Sequence, residues 1–149
     1  MDKIRFNVLH DGLAVAERAG TSFHPGRDIS ICRVRDGGRM GGVIFTNFTH
    51  ESVVIHSGAW ADHWINRDML FVTFDYPFNQ LGVNRIFGHV PEDNMHARRF
   101  NEKLGFKYVA RIAGVFRHNI ACQVMCLERS ECRFLDIKPR HFKSNRNVH

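Results

Sequence analysis

No apolar run in this 149-residue chain approaches the ~20 residues that cross a bilayer, and its opening, Met1 to Arg5, lacks the apolar centre of a secretion signal. A soluble, cytoplasmic protein with no membrane partner is expected. Cysteine is sparse: Cys32, Cys122, Cys126 and Cys132 show neither Cys-x-x-Cys pairing nor zinc-finger spacing, so reduced thiols are expected. The ten histidines include no His-x-x-x-His helix, and no metal is expected. Internal repeats, low-complexity tracts and a second domain's worth of chain are also missing. One domain over 1–149 follows, with 136–149 as a basic tail.

What is present is an apolar fraction of 44% and a net charge of +6, part of it concentrated at Lys138, Arg140, Lys143 and Arg146. Such charge suits an acidic partner, whether cofactor phosphates, an acidic protein or nucleic acid, without choosing among them. Alternation of apolar and polar residues predicts strands at 4–9, 29–35, 40–48 and 52–56. Asp36, Gly37 and Gly38 supply a tight turn between the second and third of these. His10, Asp11 and Gly12 read as a break before a helix over 13–19 that stops at Gly20. Gly41 and Gly42 mark a bulge or a close approach in the third strand. Asn66 is a cap for a helix toward Leu81, with Leu70, Phe74, Phe78 and Leu81 as its buried stripe and Pro77 forcing a kink or restart. Two closing strands are expected at 107–113 and 119–127, then a short helix from Ser130 through Leu135.

The most informative stretch runs from Arg85 to Phe106. An apolar strand over 85–90 closes at Pro91, and Asp93 or Asn94 caps a helix. Ala97, Phe100 and Leu104 share one face of that helix, and Gly105 ends it. Asparagine at the helix mouth, Ala97, then Glu102, Lys103, Leu104, Gly105 and Phe106, preceded by the segment 74–85, resembles the signature of the GNAT superfamily of N-acetyltransferases. The segment resembles ribosomal-protein-acetylating members in particular. The likeness covers roughly 66–106, and short GNAT-like proteins of bacteriophages share it more loosely.

The resemblance implies an α/β fold: a mixed, mostly antiparallel twisted sheet whose central parallel pair splays, with flanking helices. It places 52–57 as the strand that splays from 85–90, leaving a gap for the pantetheine arm of acetyl-coenzyme A. The pyrophosphate is implied at the amino end of the next helix, at Ile65, Asn66 and Arg67. His56 and Ser57 fall at the thioester, Asn94 on the pantetheine side, Arg98 one turn further on, and Asn101 where many members carry an acidic tyrosine. An amide cannot give up a proton at neutral pH, so Asn101 can only hydrogen-bond the sulfur. Trp64 and Asn66 stand where the family's phosphate loop carries small residues, and a side chain there obstructs the closest backbone approach.

His56 is the candidate general base, being a side chain of suitable ordinary pKa beside the expected reaction centre, and Glu51 is a second candidate. Cys32 and Ser57 lack a supporting nucleophile pattern, so direct transfer is expected. The expected function is acetyl transfer from acetyl-coenzyme A to a primary amine, with a protein or peptide as acceptor. The alternative is a catalytically silent GNAT-fold protein, phage-like in character, that binds a macromolecule. A third reading, nucleic-acid binding through the basic tail, has the weakest support.

Overall fold

The computed structural model describes residues 1–141; Lys143, Arg146 and the rest of the tail's end lie outside the described residues. The strands are β1 (Asp2–Phe6), β2 (Ile29–Arg35), β3 (Gly38–Thr46), β4 (Ser52–Ala59), β5 (Arg85–Pro91), β6 (Lys107–Phe116) and β7 (Ile120–Glu128). They form one sheet in the order β1-β2-β3-β4-β5-β7-β6. Only β4 and β5 run parallel among these neighbours; the other pairs are antiparallel. This is the mixed, mostly antiparallel sheet with a central parallel pair that the resemblance implies.

Helices α1 (Leu9–Ala19), α2 (Arg67–Asp75) and α3 (Met95–Leu104) cover it unequally. Successive strand residues point to opposite faces. Cys32, Val34 and Ile44 therefore pack with Val15 and Ala16 of α1, while Ile31, Val43, Phe45, Val53 and Ile86 build the larger core beneath α2. α3 leans Ala97, Phe100 and Leu104 on that larger core. α1 packs against β2, β3 and β4, and beyond it on the same face of β5 His89 is exposed and Phe87 half-buried.

Two local expectations are corrected. His10, Asp11 and Gly12 are no break but the first turns of α1, because Asp11 is fully buried and satisfied there. Arg5 grips both its carboxylate oxygens at 2.8 and 2.7 Å, and Arg39 adds a third bond at 2.8 Å. The helix expected from Ser130 through Leu135 is only a single 3₁₀ turn, Arg129–Glu131. Pro77 has the foreseen effect: α2 ends at Asp75, and the chain continues as a π-helical turn, Tyr76–Leu81. A ring that lacks an N–H is tolerated where the helical ladder is rewound.

Gly41 and Gly42 serve both suggested purposes. The β2–β3 register slips beside Gly41, and a Cβ on Gly41 would meet the Trp64 ring at 2.5 Å. On the opposite face, a Cβ on Gly42 would meet Val15 at 2.8 Å. Loop 60–66 and α1 both reach the β3 backbone only because these positions have no side chain.

Candidate active site

β4 and β5 pair from Ser52 opposite Arg85 to Ile55 opposite Gly88, and then part. β4 stays with β3 through Ala59, and β5 stays with β7 through Pro91, so a gap opens between them. The N–H of Trp60 donates to the Met40 carbonyl at 2.9 Å, which fixes the alternation along β4: even residues turn their peptide groups to β3. The peptides of Ser57 and Ala59 therefore face the gap. At its far end Arg18 of α1 donates from Nε to the Ala59 carbonyl at 2.8 Å.

The gap has two unlike faces. On the α1 face stand His56 and His89, one from each parting strand, with ring centroids 6.3 Å apart and planes nearly perpendicular. Nε2 of His56 lies 3.2 Å from Oγ1 of Thr46 on β3. Burial, and secondarily the neighbouring His89, pull the His56 pKa from 6.5 to about 4, so the ring is neutral at physiological pH. The ordinary titration range expected for it is thus corrected. Burial also lowers the pKa of His89, although His89 is the exposed member of the pair.

On the α2/α3 face, Ser57, Trp64, Ile65, Phe100 and Asn101 border a cavity of about 40 Å³, room for roughly one water. Asn101 donates from Nδ2 to the Ala97 carbonyl at 2.8 Å, which turns Oδ1 toward Gly88; a Cβ there would stand 3.1 Å from it. Trp64, only 8% exposed, borders it with its ring on Gly41 and 6.2 Å from that of Phe100. Its loop is held from below by the buried Arg33, whose Nη1 donates to the carbonyls of His63 and Trp64 at 2.8 and 3.0 Å. The same guanidinium binds the Asp2 carboxylate, with Nη2 at 2.6 Å.

The residues suggested by the sequence therefore separate into groups. Ser57, Ile65 and Asn101 meet at one cavity, and His56 stands on the other face of the same gap. Asn66 caps α2, accepting from the Met69 N–H at 2.8 Å. Arg67 donates to the Lys138 carbonyl. Asn94 caps α3, accepting from the Ala97 N–H at 3.0 Å. Arg98 pairs with Glu102 at 2.9 Å and lies over the Tyr108 ring. Glu51 binds Asn84 and Arg85 at the opposite end of β4 from His56, so it is remote from the gap. Cys32 is buried, and burial, with Asp11 adding to it, pushes its thiol up to about 11, which is far from a nucleophile. All four cysteines carry free thiols. Thr46, His89 and Arg18 were not among the sequence candidates, since only the strand pairing and the packing of α1 bring them to the gap.

The two ends of the site offer an extended anionic ligand unlike contacts. The Ser57 peptide offers ladder-like hydrogen bonds to an amide-containing arm. The amino end of α2 does not suit a pyrophosphate. Asp68, buried in its first turn, accepts from the amides of Arg140 at 2.5 Å and His141 at 3.1 Å, so a carboxylate and residues 138–141 already cover that end. An anion arriving there would face a negative charge.

No protein-family model and no curated protein matches the sequence. Solved structures do match. A variant form of the spermidine/spermine N-acetyltransferase SpeG from Vibrio cholerae superposes with a TM-score of 0.68 at 17% identity, covering 87% of this chain and 96% of that one. The same organism's spermidine N-acetyltransferase in complex with CoA and spermine gives 0.61 at 20%, over 76% and 71%. The Campylobacter jejuni N-acetyltransferase PseH in complex with acetyl coenzyme A gives 0.53 at 16%, over 70% of each chain. The chain has the fold of the GNAT N-acetyltransferases.

Proposed function

We propose that this protein transfers an acetyl group from acetyl-coenzyme A to a primary amine. The observation that carries the reading is the parting of β4 from β5, which turns the Ser57 peptide into an open gap with an imidazole on its other face. Bound acetyl-coenzyme A supplies an activated acyl carbon. The Ser57 N–H is suited to polarise the thioester carbonyl, Asn101 to hydrogen-bond the sulfur, and a histidine at the gap to take the proton that a cationic amine must lose. Direct transfer is favoured because, among the described residues, no activated nucleophile stands at the gap.

The acceptor is proposed to be an amine of a protein or peptide. The spermidine and spermine of its structural neighbours are polycations, and a net charge of +6 opposes their long-range approach to this chain. The exposed face beside His89 leaves room for a bulky acceptor.

A second reading, a GNAT-fold protein that binds a macromolecule without catalysis, is favoured by one observation. The cavity that Trp64 borders beside Ser57 offers only about 40 Å³ to a thioester arm. Isothermal titration with acetyl-coenzyme A separates the two. Saturable binding that Ser57→Pro abolishes, by removing the gap-facing N–H, is expected for the acetyltransferase. No heat at millimolar acetyl-coenzyme A would replace it with the binding protein.

A further inference from the structure

The two imidazoles at the gap are not equivalent. His56 is half-buried, and its Nε2 is already engaged by Thr46 at 3.2 Å. His89 is exposed and stands on β5 between Phe87 and Pro91, on the α1 face of the sheet and beyond the strands against which α1 packs. An amine reaching the gap from that face meets His89 first. Directly opposite on β7 is Val124, which offers no competing hydrogen bond from its side chain. Thr46, His56 and His89 thus form a line across three neighbouring strands, the fixed end at Thr46 and the open end in solvent.

From this arrangement we propose that His89 is the catalytic base and that His56, anchored by Thr46, is a positioning residue that presents the His89 ring to the acceptor. The inference rests on the acetyltransferase reading and divides between two residues the role that sequence alone gave to His56. The perpendicular contact places the edge of one ring against the face of the other, an arrangement that restrains the rotation of an exposed side chain. It also suits a His56 that stays neutral: a charged His56 would oppose the imidazolium that His89 must become.

One proton passes from the ammonium to a ring nitrogen of His89, leaving a neutral amine and an imidazolium. The amine lone pair forms the C–N bond at the thioester carbon. The C–S bond breaks with its electron pair on sulfur, and the sulfur takes the second proton that nitrogen sheds as the amide forms. His89 then returns its proton to water, so no other co-reactant is needed.

The test uses the full chain with acetyl-coenzyme A and a panel of peptide amines and spermidine, following thiol release. His89→Ala is expected to lower kcat by about 10²–10⁴-fold, with the KM for acetyl-coenzyme A changed less than about threefold. Free imidazole added to His89→Ala should restore part of the rate, which a merely structural loss would not allow. His56→Gln keeps an amide to meet Thr46 and should lose no more than about tenfold, without imidazole rescue. His89→Gln guards against a folding defect, and its thermal unfolding should match the wild type.

Wild-type-like turnover by both His89 variants would overturn the proposal. So would a larger loss in His56→Gln together with imidazole rescue there, since that assigns the base to His56. A wild-type protein that binds acetyl-coenzyme A yet acetylates no amine would overturn the acetyltransferase reading and this one together, a result distinct from failure of the His89 variants alone.

Discussion

Acidification should destabilise this fold through His56 in particular. An unfolded chain protonates this histidine near 6.5, whereas the fold holds it near 4, chiefly by burying the ring and secondly by placing His89 beside it, with Asp28 partly offsetting both. Between those values the unfolded state binds the extra proton, so stability rises with pH and falls as pH is lowered. The fully developed effect, below pH 4, is about 3 kcal/mol at 1.4 kcal/mol per tenfold in proton affinity. At pH 5 about 2 kcal/mol of it is expressed, and at pH 7 almost none. His56→Gln removes this titration while keeping a polar group for Thr46. Urea unfolding at pH 7 and pH 5 isolates the contribution, because every other titrating group is common to both proteins. The wild type should lose about 2 kcal/mol more than the variant between the two pH values. Equal losses, within about 0.5 kcal/mol, would mean that the ring is hydrated or paired in the fold and would refute the reasoning.

Trp64→Ala should cost about 3–5 kcal/mol, as large buried aromatics do, while tightening acetyl-coenzyme A because the arm's space is freed; urea unfolding and calorimetry measure the two effects separately. A variant that loses stability without gaining affinity would show that Trp64 does not stand in the ligand's path. Asn66→Ala should lower stability by about 1 kcal/mol, since its carboxamide caps α2, and should leave acetyl-coenzyme A affinity within about twofold. A tenfold loss of affinity would return Asn66 to the phosphate site.

The helix of 95–104 was legible because its punctuation is local. Asn94, the Ala97, Phe100 and Leu104 stripe, and Gly105 at a φ of 101° each act within a few residues. Pro77 was legible for the same reason. Asp11 misled because its burial depends on tertiary contacts: Arg5 reaches it from β1 and Arg39 from β3, and no local spacing announces that two guanidiniums converge on one carboxylate. The site divides along the same line. The family resemblance put Ser57 beside the thioester, but His89 joins His56 only through the register of two parallel strands, which is not written in either strand alone. The fate of Arg67 and Asp68 depends on residues about seventy positions away, which reach back to α2 at Lys138, Arg140 and His141.

Arg33 ties together parts of the molecule that lie far apart in sequence. β1 is a five-residue edge strand, the kind of element that frays at little cost, and Asp2 at its start carries the carboxylate that neutralises Arg33. When that end lifts away, a buried cation loses its counter-charge, and the carbonyls of His63 and Trp64 become the remaining partners of the same guanidinium. Opening of the first strand and loosening of the loop that carries Trp64 are therefore one thermodynamic event. Amide hydrogen exchange in 2–6 and 60–66 should share a common opening free energy, and Asp2→Asn should accelerate exchange in both segments together, far though they lie from each other along the chain.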